Sequence, residues 1–477
     1  MAVPSSSNGT VEREMTIHQR GLVDTCFEEG QYEAGIRVLD QLRSRKYKPF
    51  PPHIRQLIYI ALYPPASDPE DQPMEEFPTD PARASPSKFL SRQQSQFSLS
   101  PTPAAVEAAR NLLFAFAHTN TPEILFRALP RSVGYNGAVL DAVDDDSFVS
   151  REAACIRDTR NVWEILRENF LQRRTDAAAP RKKARNRRRA AGDNRDFEDD
   201  SDSLTGPVGQ QAWPILEWLL IIMEKDERRT QTLYSPLLLS QISPSKSSSG
   251  ARWDLDAPLD IVFHTLQTSA PRRRALGLRL LILLVNLTST TLVDLPMFLN
   301  AVSDRVLSLP FDDLTALFGA LPATRPALHF RLALCKRYLA RSSSTDAEKS
   351  RARPKPLQRG QPPNAPSDPT ENAQDPSSGA EAASVARQYL PTSSVEILRL
   401  VSEPQPSNDM VARIKMELVL VYWMLQKQSG DAGDTDWQDI LSSGKLSEAF
   451  GGDIAPVSGG IGPGGAYSAL LTAITVR

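Results

Sequence analysis

The chain has 477 residues, with 55 Lys and Arg against 57 Asp and Glu and a formal charge of −2. This balance excludes global charge as a reason to bind nucleic acid or membranes, so any electrostatic role must come from local segregation. The 38 prolines cluster with Ser, Gln and Asp, and discounting those clusters leaves about 300 residues able to form cores, enough for two domains or one elongated helical array.

The first foldable block is expected over residues 11–63. Leu22, Val23, Cys26 and Phe27 form one helical stripe ending at Gly30; Tyr32, Ile36, Leu39 and Leu42 form a second. Pro51 and Pro52 can open a third helix, since proline in the first turn gives up no needed N–H. Leu57, Ile58, Ala61 and Leu62 are its expected buried face, and Pro64-Pro65 ends it.

The stretch Gly30-Gln31-Tyr32-Glu33-Ala34-Gly35-Ile36, with Leu39 and Leu42, resembles the second half of a tetratricopeptide unit. The resemblance covers some fifteen residues. It implies that Gly30 closes an inter-helix turn, Gly35 lets two helices approach and Tyr32 packs between them. An array of such units repeats every 34 residues or so, but that step from Gly30 reaches Pro64 in a helix-ending Pro-Pro. One αα-hairpin is therefore expected, not a peptide-binding array.

Residues 64–101 read as a disordered linker, rich in Pro, Ser and Gln without apolar periodicity. A helical segment follows over 102–172, opened by Thr102-Pro103 and continued by Thr121-Pro122. A second linker, 173–209, segregates charge: nine basic side chains and one acidic from Arg173 to Arg189, then six acidic and one basic from Asp193 to Asp202. Such a stretch cannot build a core.

Helices dominate the main domain expected at 210–341. Asp256, Ser269 and Asp294 each stand two residues before a proline, as a capping side chain stands before a helix start. A third linker (342–383), a helical segment (384–428) and a flexible Gly-rich tail (429–477) complete the order. The fold class expected is all-α: stacked helical hairpins, HEAT-like or α-solenoid-like, interrupted by long disordered linkers.

Chemistry-bearing motifs are few. Cys26, Cys155 and Cys335 are scattered in apolar helical contexts, which argues against a disulfide framework or a Cys-based zinc site. His18, His53, His118, His264 and His329 fall in no metal-ligand spacing. The glycine-rich GGIGPGG at 459–465 lacks the Lys-Ser/Thr of a phosphate loop. No secretory signal is expected from the polar MAVPSSSNGT, and the most apolar run, LGLRLLILLVNL, is too short to span a membrane. No cofactor, metal or membrane is expected, and no catalysis.

The strongest functional signal is PRKKARNRRR at 180–189. Arg181, Lys182, Lys183, Arg185, Arg187, Arg188 and Arg189 present the dense exposed charge that a nuclear import receptor reads. A merely solvated run is the blander reading, and contact with DNA or RNA phosphates is the third. Ser85, Ser100, Ser235 and Ser243 precede proline, as proline-directed kinases require, and Ser95, Thr230 and Ser240 precede Gln, the dipeptide read by damage-response kinases. The expected function is a nuclear helical scaffold docking other protein subunits, in chromatin or genome maintenance; an RNA-processing or ribosome-assembly factor and an enzyme of unrecognised helical fold are the alternatives.

Overall fold

The computed structural model describes residues 13–64, 100–130, 147–171, 206–230, 232–242, 254–290, 292–344, 392–403, 409–429, 434–450 and 474. They are mostly helical, with one parallel pair of two-residue strands, β1 (Arg13–Glu14) and β2 (Tyr47–Lys48). Two compact units divide the chain, 1–283 and 284–477, and the boundary falls inside one helix.

In the first unit, α1 (Ile17–Glu28) opens with a capping box: Gln19 N donates to Thr16 Oγ1 at 3.3 Å, and Thr16 N to Gln19 Oε1 at 2.9 Å. Gly30 has φ 72°, a conformation that suits glycine, and turns the chain into α2 (Tyr32–Leu42). A Cβ on Gly35 would lie 2.5 Å from the Phe27 ring, so the two helices meet where only a hydrogen fits. The hairpin expected from Gly30, Tyr32 and Gly35 forms, with the Tyr32 ring 6.1 Å from that of Phe27. The expected stripe on α1 is partly wrong. Val23 and Phe27 are buried, whereas Leu22 is 61% exposed.

The centre of this unit is α3 (Pro51–Leu62), in which every residue but Pro52 is buried. The expected face, Leu57, Ile58, Ala61 and Leu62, is only part of what is buried, because Ile54, Tyr59 and Ile60 carry apolar surface to the other sides. The helix is enclosed because α4 (Pro103–Thr119) packs on one part of its surface and α6 (Phe148–Arg157) on another. Between these two comes the short α5 (Pro122–Phe126). After α7 (Val162–Leu166) and a 3-10 turn at Gln210–Ala212, α8 (Trp213–Thr230) packs on α3, α4, α5 and α7. The segments expected separately at 11–63, 102–172 and 210 onward therefore share one core.

Two cations close helix ends in that core. Arg110 donates to Ala61 O at the end of α3, at 3.0 and 3.2 Å, and to Gln211 Oε1 at 2.6 Å. Lys225 Nζ gathers the last carbonyls of α4, donating to Ala117 O at 2.8 Å, His118 O at 3.2 Å and Asn120 O at 2.7 Å. Carbonyls left over at a helix end favour a cation there.

Most of the expected linkers lie outside the described residues, but the residues bordering the first two do not. Tyr63 Oη donates to Ser100 Oγ at 3.1 Å, joining the two ends of the first linker. For the second, Gly209 N donates to Leu166 O at 2.8 Å and Glu168 N to Gly206 O at 3.2 Å. Residues 206–209 thus belong to the fold, with Val208 buried, and the boundary placed at 209 moves back to 205. Both stretches are excursions within one unit rather than connections between domains.

The first unit continues with α9 (Pro236–Ser240), α10 (Asp256–Gln267) and the start of α11 (Pro271–Leu287). Two expected caps differ from the reading. Asp256 is already the first helical residue, its N–H bonded by Asp254 Oδ1 at 3.2 Å, and Asp294 takes the capping position without a side-chain bond.

The second unit holds α12 (Leu295–Leu307), α13 (Phe311–Ala320), α14 (Arg325–Ser344), α15 (Ser394–Ser402) and α16 (Asp409–Ser429). Its main packing is α14 against α16, with Phe298 and Phe330 rings 5.5 Å apart where α12 meets α14. The tail expected from 429 is helical at first: α17 (Thr435–Ser442) and α18 (Lys445–Phe450) bury Trp437, Ile440, Leu446 and Phe450. The glycines that suggested flexibility begin after them, outside the described residues.

Candidate functional site

The basic run 181–189 lies outside the described residues, as do Ser85, Ser95 and Ser243. What the structure does place is the run's point of departure. Leu171 and Gly206 are the described residues on either side of 172–205, and backbone bonds join Leu166 to Gly209 and Glu168 to Gly206.

Of the serines before proline, Ser100 is half-buried and accepts the Tyr63 bond. Ser235 is fully buried at the start of α9. Its hydroxyl donates to Asp226 Oδ2 at 2.7 Å and accepts from Leu238 N at 3.2 Å, so in the folded chain it is a helix cap rather than an open phosphate acceptor. Asp226, 1% exposed, also accepts from Leu237 N at 3.0 Å. Gln241, which makes Ser240 a candidate, is committed too: its amide bridges Pro130 O at 2.9 Å and Val162 N at 3.1 Å.

The histidines are dispersed. His53 is buried between the Phe27 and Phe50 rings and bonds Asp24 Oδ1 at 2.8 Å. His329 is held down to about 4, first by burial and then by the neighbouring charge of Arg325. His264 is lowered by burial and by Arg273, with Glu168 opposing. Burial pushes the Cys335 thiol well up, which makes it unreactive. Among the described residues no group of three or more His, Cys, Asp or Glu could hold a metal ion, and no helix is long and apolar enough to cross a membrane.

Two clefts stand out among the described residues of the first unit. One, of about 200 Å³, lies at the anchor of the basic excursion and is lined by Leu62, Ile165, Glu168, Asn169 and Gln210. Beside it Trp213 stacks on His264, with ring centroids 6.1 Å apart and planes at 15°. The Arg273 guanidinium stands 4.6 Å over the same indole and donates to Gln210 Oε1 at 2.7 Å. The other cleft, of about 370 Å³, runs between α2 and α4 over a floor of Ile36, Ala104, Ala108 and Leu112.

Sequence reasoning missed the buried Asp226–Ser235 pair, the buried Arg331–Glu417 pair joining α14 to α16, and the Arg273–Trp213–His264 stack. The first two carry a usable signal, an ionisable residue inside an apolar stripe. The stack joins residues more than fifty positions apart and carries none. The chain matches no protein-family model, no curated protein and no solved structure.

Proposed function

We propose that this chain is a helical interaction subunit that works in the nucleus, its body a set of stacked, HEAT-like hairpins that dock other protein subunits and its entry directed by residues 181–189. The supporting observation is the density of seven cations between Arg181 and Arg189, in a stretch bordered on both sides by residues that backbone bonds join in the first unit. An import receptor binds an extended basic segment, and an excursion from a closed anchor can be bound without unfolding the body. Assembly with chromatin or genome-maintenance proteins is the context proposed; Ser85, Ser95, Ser100 and Ser243 are the proposed phosphate acceptors. The second reading, an RNA-processing factor, draws on the same cations meeting phosphates directly.

The test replaces Lys182, Lys183, Arg187 and Arg188 with alanine in a tagged chain. A shift from nucleus to cytoplasm with an unchanged melting temperature is expected. Unchanged localisation would remove the basis for a nuclear role.

A further inference from the structure

We propose that the basic surface built by β1, β2 and the turn leading from α2 to β2 binds single-stranded nucleic acid, with Arg13, Arg45 and Lys46 on phosphates and Tyr47 against a base. These residues lie in the folded first unit, so the proposal goes beyond the nuclear reading and does not rest on residues 181–189.

The starting observation is charge without compensation. From Arg43 to Lys48 the chain reads RSRKYK, with four cations and no acid. Parallel pairing of Arg13 with Tyr47 and of Glu14 with Lys48 lays a further arginine beside this run. The neighbouring carboxylates are already taken. Glu14 stands 3.3 Å from Arg127 and 3.9 Å from both Arg20 and Lys48, and Asp40 pairs with Arg43 at 2.9 Å. Arg13, Arg45 and Lys46 are exposed, and among the described residues their side chains have no hydrogen bond or ion pair. Cations after a helix ordinarily answer its carbonyl end, but that effect fades within the last turn. Arg45 and Lys46 lie beyond it and make no bond to the end of α2.

The backbone beneath these charges is fixed. Arg13 N donates to Lys46 O at 2.7 Å and Tyr47 N to Ser44 O at 3.2 Å. Asn120, 1% exposed, donates from Nδ2 to Tyr47 O at 2.9 Å and to Ser44 O at 3.3 Å. A cationic turn held from below has little backbone freedom left to lose when a polyanion binds.

Tyr47 decides which polyanion fits. Side chains of paired residues stand on one face of a strand pair, so Arg13 neighbours the half-buried Tyr47, which Lys46 and Lys48 flank in sequence. Among the described residues the Tyr47 hydroxyl has no hydrogen-bond partner. An aromatic ring set among cations suits a strand whose bases stack while its phosphates are neutralised. An acidic protein segment would use the cations but not the ring, and a duplex keeps its base faces stacked on one another.

The test starts from the full chain carrying Lys182→Ala, Lys183→Ala, Arg187→Ala and Arg188→Ala, in which the run 181–189 has lost more than half its charge. The probes are labelled DNA and RNA strands of about 12 nucleotides, titrated at several salt concentrations and read by fluorescence anisotropy. Salt-sensitive binding of at least one strand is expected, tighter than that of a duplex of equal length, and the tighter strand identifies the class of ligand. Arg45→Gln with Lys46→Gln should weaken binding and lower the slope of log affinity against log salt by about 1.4, at about 0.7 per phosphate. Arg13→Gln should lower it by about 0.7. Tyr47→Leu should weaken binding about tenfold with the slope unchanged. If that variant melts early, the exposed cations decide.

The proposal is overturned by any of four results: neither strand binds; Arg45→Gln with Lys46→Gln leaves the affinity unchanged; a folded Tyr47→Leu chain binds as tightly as its parent; or polyglutamate of matched charge displaces the strand as well as unlabelled strand does.

Discussion

At the scale of the residue, buried polar groups decide more than the surface charges do. Asp226 accepts from a hydroxyl and a backbone N–H in an enclosed site and fixes where α9 begins. Asp226→Ala is expected to cost about 2–3 kcal/mol in urea unfolding, because charge-assisted bonds are lost and Ser235 is left without its acceptor. Ser235→Ala should cost less, and the two should not add. A loss below about 0.5 kcal/mol for Asp226→Ala would show that the pair contributes little. His329 gives a pH dependence. Its folded value, about 4, lies below its ordinary 6.5, so between those values the unfolded chain takes the proton and the folded chain does not. Its contribution is complete above 6.5 and is lost as pH falls toward 4. Melting temperatures across that window should drop more steeply for wild type than for His329→Gln.

Among the elements, the informative cases are those where one side chain completes another element's end or fits its surface. Lys225 on α8 satisfies three carbonyls at the end of α4. Lys225→Met keeps the aliphatic stem and removes the donors, and a loss of about 1–3 kcal/mol is expected, with earlier hydrogen exchange at the end of α4. Unchanged exchange there would mean water replaces the ammonium at no cost. Gly35 serves the α1–α2 hairpin in a different way, through space alone. Gly35→Ala puts a methyl against the Phe27 ring, in contact at 2.5 Å before any adjustment, and should cost about 1–3 kcal/mol despite alanine's better helix propensity. A stabilised variant would show that α1 can move aside freely.

For the whole molecule, the prediction concerns the excursions. Backbone bonds of Leu166 with Gly209 and of Glu168 with Gly206 join the described residues on either side of 172–205, so the chain is closed there by contacts outside that stretch. Replacing residues 174–203 with a short Gly-Ser connection should leave the melting temperature unchanged or slightly raised, since a shorter loop costs less entropy to close, about 0.6 kcal/mol per halving. A marked fall would mean the excursion contributes to the core.

Helix positions, the αα-hairpin and its two glycines could be read directly from the chain, because spacing of three and four and the residues at helix ends are local properties. The near-absence of strand among the described residues was equally local, since almost no run alternates. The partners of those helices could not be read. Composition breaks at 64 and 173 looked like domain boundaries, yet α3 is buried by helices that follow both breaks, because a helix apolar on more than one face must find cover wherever the chain can supply it. The Arg273–Trp213–His264 stack and the Lys225 cap are likewise products of tertiary packing. Sequence periodicity states which face of a helix must leave water; only the assembled core decides what meets it, and which polar groups are carried inside with it.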